Sequence, residues 1–201
     1  MAWFQPRNRI MALRIVLLLL FLCVAGPLNA QPPLPRVLIE TDIGNIVIEV
    51  DRQRAPITSA NFLDYVERRL YDGASFYRAM PGGPDRGLVQ AGVEHSRRLP
   101  PIAHEPTNRT GLSHVEGAVS IARDAPGTAT ADITIMIGNM NYLDAGGVDP
   151  DGYAVFGRVS EGMDTVRRIH SAPTSATEGE GSMRGQMLSP RIRIISARRL
   201  P

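Results

Sequence analysis

The most informative pattern in the chain lies at Ser75–Gly92, which reads Ser-Phe-Tyr-Arg-Ala-Met-Pro-Gly-Gly-Pro-Asp-Arg-Gly-Leu-Val-Gln-Ala-Gly. Two short apolar runs flank a loop rich in glycine and proline, which predicts two neighbouring strands. Successive side chains of a strand point to opposite faces, so we expect Phe76 and Arg78 to share one face. A guanidinium beside large apolar groups is costly to bury without acceptors. We therefore expect Arg78 at the rim of a groove with its head presented to a ligand, and Gln90 as a second polar anchor.

The N-terminus predicts an export signal. Three arginines precede an uncharged apolar run at residues 15–25, and Ala30 supplies a small residue a few positions later. This order is typical of a cleaved secretory signal peptide, and the run is short for a membrane span. We expect residues 1–30 to be removed, which gives a periplasmic or secreted protein with no stable membrane span. A retained N-terminal anchor is the alternative, and translation from Met11 would also leave a complete signal.

Composition limits the chemistry of the remaining domain. The only cysteine is Cys23, so the exported domain has no disulfide and depends on its core. About 170 residues suffice for such a core. All 22 basic residues are arginine and three of them precede residue 31, which leaves 19 basic against 20 acidic residues. No basic patch or aromatic platform favours nucleic acid as a partner, and the absence of lysine excludes Schiff-base chemistry.

Short strands separated by turns fill most of the chain. Residues 37–50 predict a hairpin around Asp42–Asn45. Residues 51–72 predict a helix with Pro56 in its first turn, and its apolar face would be formed by Ile57, Ala60, Leu63, Val66 and Leu70. Further strands are predicted at 116–123, 133–137, 153–159 and 191–195, with a short helix at 162–170. These patterns predict a closed or sandwiched antiparallel β fold.

Several segments of the chain resemble the cyclophilins, which are peptidyl-prolyl cis-trans isomerases. They are Phe76-Tyr77-Arg78, Pro81-Gly82, Leu88-Val89, Gln90-Ala91-Gly92, Glu116-Gly-Ala-Val-Ser-Ile-Ala-Arg123, Tyr153-Ala-Val-Phe-Gly-Arg-Val159 and Glu161-Gly-Met-Asp164. The resemblance covers residues 37–200 in order and implies a closed eight-stranded antiparallel barrel capped by two helices. The expected organisation is a signal peptide at 1–30, a proline-rich lead-in at 31–36 and a cyclophilin-like domain at 37–201.

The resemblance also implies a reaction and a site. Amide resonance gives peptide-bond rotation a barrier of about 20 kcal/mol, and a catalyst has to bind the twisted amide better than either planar form. By resemblance, Arg78 is the catalytic donor to the prolyl nitrogen. The implied substrate-binding residues are Phe76, Leu88, Gln90, Ala122, Arg123, Asp132, Thr134, Tyr142, Leu143 and Tyr153. The expected substrates are proline-containing segments of unfolded or extended proteins, bound by a monomer without cofactor or metal.

Three positions depart from the family pattern. Thr134 stands in place of a pocket phenylalanine, Asp132 in place of a glutamine, and Gly87 in place of another phenylalanine. Losing aromatic surface weakens the binding of a proline ring. We therefore expect weak or altered isomerase activity and poor binding of cyclosporin-like inhibitors. The alternatives are a non-catalytic cyclophilin-like module that binds peptides or a protein, and a small-ligand barrel.

Other polar residues carry no recognisable motif. The four histidines, His114 among them, show no metal-ligand spacing, so we expect them to be solvated. Ser120 lacks the Gly-x-Ser-x-Gly pattern of a nucleophile. Asp144 is interpreted as a turn residue.

Overall fold

The computed structural model describes Met1 and residues 32–201, so the predicted signal segment, its cleavage site and Met11 lie outside the described residues. Residues Leu34–Pro201 form one compact unit. Its first strand begins at Arg36, and the main-chain oxygen of Pro35 accepts a hydrogen bond from the Val50 N–H at 2.9 Å. Within the described range, no helix combines the length and the apolarity that crossing a membrane requires.

Eight strands and three helices build this unit within residues 32–201. The strands are β1 (Arg36–Thr41), β2 (Gly44–Val50), β3 (Ser75–Pro81), β4 (Gly87–Gly92), β5 (Ala118–Ile121), β6 (Ile133–Ile137), β7 (Ala154–Glu161) and β8 (Met187–Arg199). The helices are α1 (Pro56–Glu67), the single turn α2 (Thr107–Thr110) and α3 (Met163–His170). The strands close into an antiparallel barrel in the order β1-β2-β7-β5-β6-β4-β3-β8, which confirms the predicted architecture.

The barrel interior is filled by aliphatic side chains that alternate along the strands. In the β1–β2 hairpin, Ile39 pairs with Ile46 and both are fully buried, as the sequence pattern predicts. Helix α1 packs against β7 and β8, and α3 packs against β2, β3 and β4. The two longer helices therefore cover the barrel, while the face of the sheet around β4, β5 and β6 stays open for a site.

Helix α1 spans Pro56–Glu67 and is therefore shorter than the predicted 51–72, and it buries only part of the predicted apolar face, namely Leu63 and Val66. Ile57 is 37% exposed, whereas Phe62 is fully buried. The Phe62 ring lies 5.7 Å from the Tyr71 ring and 5.1 Å from the Phe156 ring. Because aromatic rings bury more apolar surface than Ile57 would, their packing sets the roll of the helix.

A β-bulge in β3 decides which side chains of the central stretch face outward. Phe76 pairs with Ala91 and Arg78 pairs with Gln90, so Tyr77 is one residue more than the partner strand has. A bulge shifts the alternation, and Phe76 therefore points into the barrel while Arg78 points away from it. Phe76 is fully buried in the barrel core. The prediction that it shares a face with Arg78 and binds substrate is wrong.

Candidate active site

A groove of about 650 Å³ lies on the face of the sheet opposite the barrel core. Four side chains in register cross its floor. Arg78 pairs with Gln90, Gln90 pairs with Thr134, and Thr134 pairs with Ser120. Paired residues on neighbouring strands point to the same face, so these four residues form one line, called here the floor row.

Arg78 is held in the groove by neutral amides. Its Nε donates to Gln186 Oε1 at 2.8 Å and its Nη1 donates to Gln90 Oε1 at 3.0 Å. Within residues 32–201 it makes no ion pair. Burial lowers the pKa of the Arg78 guanidinium, which nevertheless stays charged because the ordinary pKa of arginine is so high. The groove thus contains a positive donor whose charge no carboxylate neutralises.

Gln90 offers a second donor beside that charge. It is 8% exposed, and its oxygen is occupied by Arg78. No side-chain nitrogen or oxygen that is sealed from solvent in the described range lacks a hydrogen bond. Since Gln90 Nε2 donates to no described residue, it must be open to the groove, where it can bind a peptide carbonyl.

An apolar patch lies one step along the strands from the floor row. Leu88 pairs with both Met80 and Met136. These side chains cluster with Tyr142 and Leu143. The patch is the part of the groove that suits a proline ring. Sequence reasoning named Leu88, Tyr142 and Leu143 but missed Met80 and Met136, which follow Arg78 and Thr134 by two residues and could have been found from strand alternation.

The residues that follow β6 close this patch on one side. A 3-10 turn at Asn141–Leu143 carries Tyr142 and Leu143, both half-buried. Met140 precedes the turn and is fully buried, and Asp144 follows it. The segment Met140–Asp144 is called here the pocket wall.

Two of the expected aromatic losses differ in their consequences. Thr134 lies in the floor row, where its short side chain leaves the groove open; its Oγ1 makes only a long, 3.4 Å hydrogen bond to Ser120 O. Gly87, in contrast, faces α3. A Cβ there would lie 2.3 Å from His170 Nε2 and 2.6 Å from Met80 O. The expectation that Gly87 removes a wall of the groove is wrong, because the position has no room for a side chain.

The Asp132 carboxylate is bonded to neighbouring side chains, so it forms part of a polar wall and is not a free hydrogen-bond acceptor for a ligand. Tyr77 Oη donates to Asp132 Oδ1 at 3.1 Å, and Arg98 Nη2 lies 2.8 Å from Asp132 Oδ2. Burial raises the pKa of the Asp132 carboxyl, and Arg98 opposes that rise. Burial and the neighbouring Asp132 raise the pKa of the Tyr77 hydroxyl. The residue inserted by the bulge is therefore the one that anchors Asp132 across the groove.

Arg123 and Tyr153 form the opposite side of the groove. The Arg123 guanidinium carbon lies 5.0 Å from the centre of the Tyr153 ring, and Nη2 lies 2.9 Å from Asp149 Oδ2. The side chain is only 2% exposed, so it supports the wall more than it contacts solvent. Of the main-chain groups expected to bind substrate, the Ala122 N–H is already committed to Asp132 O at 2.7 Å.

A buried polar chain that sequence reasoning missed lies under the pocket wall. His114 is fully buried, with Nδ1 at 2.6 Å from Asp144 Oδ1 and Nε2 at 3.0 Å from Ser120 Oγ. The expectation that this histidine is solvated is wrong. His114 is 6 positions from Ser120 and 30 positions from Asp144 in the sequence, so no local motif could have revealed the three residues.

Comparisons with known proteins show the family and support the fold. Residues 36–198 match the family described as cyclophilin type peptidyl-prolyl cis-trans isomerase/CLD. The chain belongs to this family, as its sequence resemblance indicated, and the expected enzyme class is the class of the family. It is 35% identical over 156 residues to a peptidyl-prolyl cis-trans isomerase of Acinetobacter baylyi, covering 76% of this chain and 81% of that protein.

Two further comparisons agree. The chain is 34% identical over 168 residues to peptidyl-prolyl cis-trans isomerase A of Dickeya dadantii, covering 81% of this chain and 85% of the relative. A crystal structure of a cyclophilin-type isomerase from Cryptosporidium parvum, obtained in the presence of the dipeptide Ala-Pro, superposes with a TM-score of 0.66 at 17% identity. The superposition covers 83% of this chain and 99% of the Cryptosporidium chain, and the likeness supports the fold.

Proposed function

We propose that this protein is a peptidyl-prolyl cis-trans isomerase that acts outside the cytoplasm on unfolded or extended segments of client proteins, as a monomer and with weak or altered activity. The observation that carries the proposal is the charged Arg78 head, held 3.0 Å from Gln90 next to the apolar patch of Leu88 and Met136. A donor beside a slot for a proline ring is the arrangement that the reaction needs.

In this proposal each part of the groove has a separate task. The apolar patch holds the proline ring, and Gln90 Nε2 binds a carbonyl of the substrate. As the amide twists, conjugation is lost and the prolyl nitrogen gains a free lone pair, to which Arg78 donates. This bond exists only near the transition state, so it lowers the barrier rather than merely tightening substrate binding. Neither a nucleophile nor a proton transfer is required.

Thr134 supports the weak activity, through weaker binding of the proline ring. It occupies the centre of the floor row, where it offers one methyl group instead of an aromatic face. The proline ring then has apolar contacts on the side of Met136 and Leu88 but not above Thr134. Weak binding of cyclosporin-like inhibitors follows from the same loss, and titration calorimetry would measure it.

The N-terminal sequence supports the location. Its basic start, its apolar run at 15–25 and Ala30 are typical of an export signal. If the proposal is right, mass spectrometry of the chain recovered from the expressing cell will find an N-terminus close to Gln31, in the periplasm or the medium. A full-length chain in the cytoplasm would contradict it.

Catalysis is tested by NMR exchange spectroscopy on a tetrapeptide that contains an Ala-Pro bond. We expect Arg78→Ala to lower kcat/KM by about 100-fold, since removal of one transition-state donor costs roughly 3 kcal/mol. Arg158→Ala is the matched control, because this arginine is 70% exposed on β7, away from the groove. An Arg78→Ala variant within twofold of the wild type would refute the catalytic role.

A non-catalytic peptide-binding module is the second candidate, favoured by Thr134 and by the commitment of Asp132 to Tyr77 and Arg98. It predicts that proline peptides bind in calorimetry while the wild type does not accelerate cis/trans exchange. Exchange above the uncatalysed rate, lost in Arg78→Ala, would exclude it.

A further inference from the structure

His114 uses all of its polar groups to join the pocket wall to the rest of the groove. Its main-chain N–H donates to Asp144 Oδ1 at 3.0 Å, and its main-chain oxygen accepts from the Met140 N–H at 2.8 Å. Its Nδ1 lies 2.6 Å from Asp144 Oδ1. The Ser113 hydroxyl also donates to Asp144 Oδ2. Met140 and Asp144 are the two ends of the pocket wall, so one loop residue fixes both ends.

The fourth contact of His114 reaches the floor row. Nε2 lies 3.0 Å from Ser120 Oγ, and Ser120 is the last member of the row that begins at Arg78. Asp144 as a carboxylate can only accept, so Nδ1 carries the hydrogen and Nε2 accepts from the Ser120 hydroxyl. The neutral imidazole therefore fixes the distance between the pocket wall and the strands that carry Arg78 and Gln90.

The order of Ser120, His114 and Asp144 is also that of a serine hydrolase triad, but the surroundings do not suit a nucleophile. Ser120 is 1% exposed and lies within β5, not on the sharp turn that presents a catalytic serine. Its oxygen cannot reach an acyl carbon without rearrangement of the floor. The chain of hydrogen bonds is suited to holding the groove in shape.

We propose that His114 is a positioning residue for isomerisation, which in its neutral form keeps the pocket wall in place over the proline ring. The inference rests on the proposed isomerase function and adds a dependence of that function on one imidazole. Protonation would give Nε2 a hydrogen and reverse this bond: Nε2 would donate to Ser120 Oγ, and the Ser120 hydroxyl would have to turn toward another acceptor within the floor row.

The surroundings of His114 set the pH at which this happens. Burial lowers the pKa of His114, and Asp144 opposes that effect, so the imidazole is neutral at pH 7. The titratable groups that face it are Asp144 from the pocket wall and Tyr153, whose ring stands edge-on at 6.4 Å. Arg123 lies over that tyrosine ring. Because the pKa of His114 is lower in the folded state than in the unfolded state, the contribution of the neutral His114 ring to folding stability is fully present above about pH 6.5. It declines as the pH falls toward the folded-state pKa.

The wild-type protein gives the first test. We expect kcat/KM for the Ala-Pro tetrapeptide to be constant above pH 7 and to fall at least fivefold over the pH range in which nitrogen NMR shows protonation of the His114 ring, under conditions where circular dichroism shows a folded protein. Nitrogen NMR of the His114 ring should show the Nδ1–H tautomer at neutral pH. A kcat/KM that stays constant while the His114 ring becomes protonated, or the Nε2–H tautomer at neutral pH, would overturn the proposal without any variant.

His114→Asn is the variant that separates positioning from general stability. Asparagine can keep a donor to Asp144 but cannot reach Ser120. The wall contacts the ring in planar and twisted substrates alike, so we expect KM to rise about fivefold, kcat to stay within twofold and the acidic fall in kcat/KM to disappear. His104→Asn, a loop histidine bonded to Asp151 O, is the matched control and should retain the wild-type profile.

Several results would overturn the inference. A His114→Asn variant that keeps both the wild-type KM and the acidic fall would remove His114 from the mechanism. Covalent labelling of Ser120 by a fluorophosphonate, located by mass spectrometry, would show a nucleophile where we infer a structural contact. Failure of the proposed function is distinguishable, because it would appear as unchanged exchange rates in Arg78→Ala.

Discussion

Replacing Thr134 with phenylalanine should increase activity, which makes it a demanding test of how the groove works. Thr134 lies in the floor row between Gln90 and Ser120, faces a groove of about 650 Å³ and is 7% exposed. The substitution removes a hydrogen bond of 3.4 Å to Ser120 O, which is too long to contribute much. Threonine and phenylalanine are both favoured in strands, so β6 should tolerate the change.

The expected gain follows from the apolar area that the new ring would cover. If the phenyl ring and the proline ring together remove about 80 Å² from water, at about 25 cal/mol per Å², binding improves by about 2 kcal/mol. That energy corresponds to a rise in kcat/KM of about 30-fold, since about 1.4 kcal/mol is one factor of ten. Contact with planar and twisted substrate alike would lower KM more than it changes kcat.

The assay is NMR exchange spectroscopy on the Ala-Pro tetrapeptide, with peptide affinity measured by calorimetry. Thr134→Val is the matched control: it removes the same hydroxyl and adds no ring, so its kcat/KM should stay within twofold of the wild type. A folded Thr134→Phe variant with no gain in affinity or rate would refute the idea that a missing aromatic surface limits this groove.

Three further predictions concern the scaffold. Gly92→Ala should lower the free energy of unfolding by about 1–3 kcal/mol, because its Cβ would lie 1.8 Å from Asp132 Oδ1 and force that carboxylate to move. Asp72→Asn should cost about 1–2 kcal/mol at pH 7, since the hydrogen bond from Arg198 lowers the pKa of this carboxyl. Glu105→Gln should cost about 1 kcal/mol, because Glu105 accepts from the first N–H groups of α1.

Urea unfolding monitored by circular dichroism measures all three changes. The contribution of ionised Asp72 to the free energy of unfolding is present above its unfolded-state pKa of 3.8 and is lost as the pH falls toward its lower folded-state pKa. The difference in unfolding free energy between Asp72→Asn and the wild type should therefore become smaller in acid. Asp164→Asn, in an exposed pair with Arg168, is the control. A Gly92→Ala variant of wild-type stability, or an Asp72→Asn gap that does not change with pH, would contradict the packing and charge arguments.

Patterns in the sequence predict the strands, the two longer helices and part of the groove. A sequence pattern reports local features. Examples are the alternation of apolar residues in β2 and β6 and the turn residues at Asp42–Asn45. The family resemblance added the closed barrel, because it reflects the whole chain in order. Arg78, Gln90 and Leu88 were found in this way, and they do line the groove.

The remaining features depend on contacts between residues far apart in the chain, which no local pattern reports. The bulge at Tyr77 sends Phe76 into the core, and pairing between β3 and β4 creates that bulge. Gly87 has no room for a ring because α3 packs against it. The link from Ser120 through His114 to Asp144 exists because barrel closure and the return of the chain after β6 bring together three polar residues that are far apart in the sequence. Their hydrogen bonds satisfy His114 and Ser120, which are sealed from solvent.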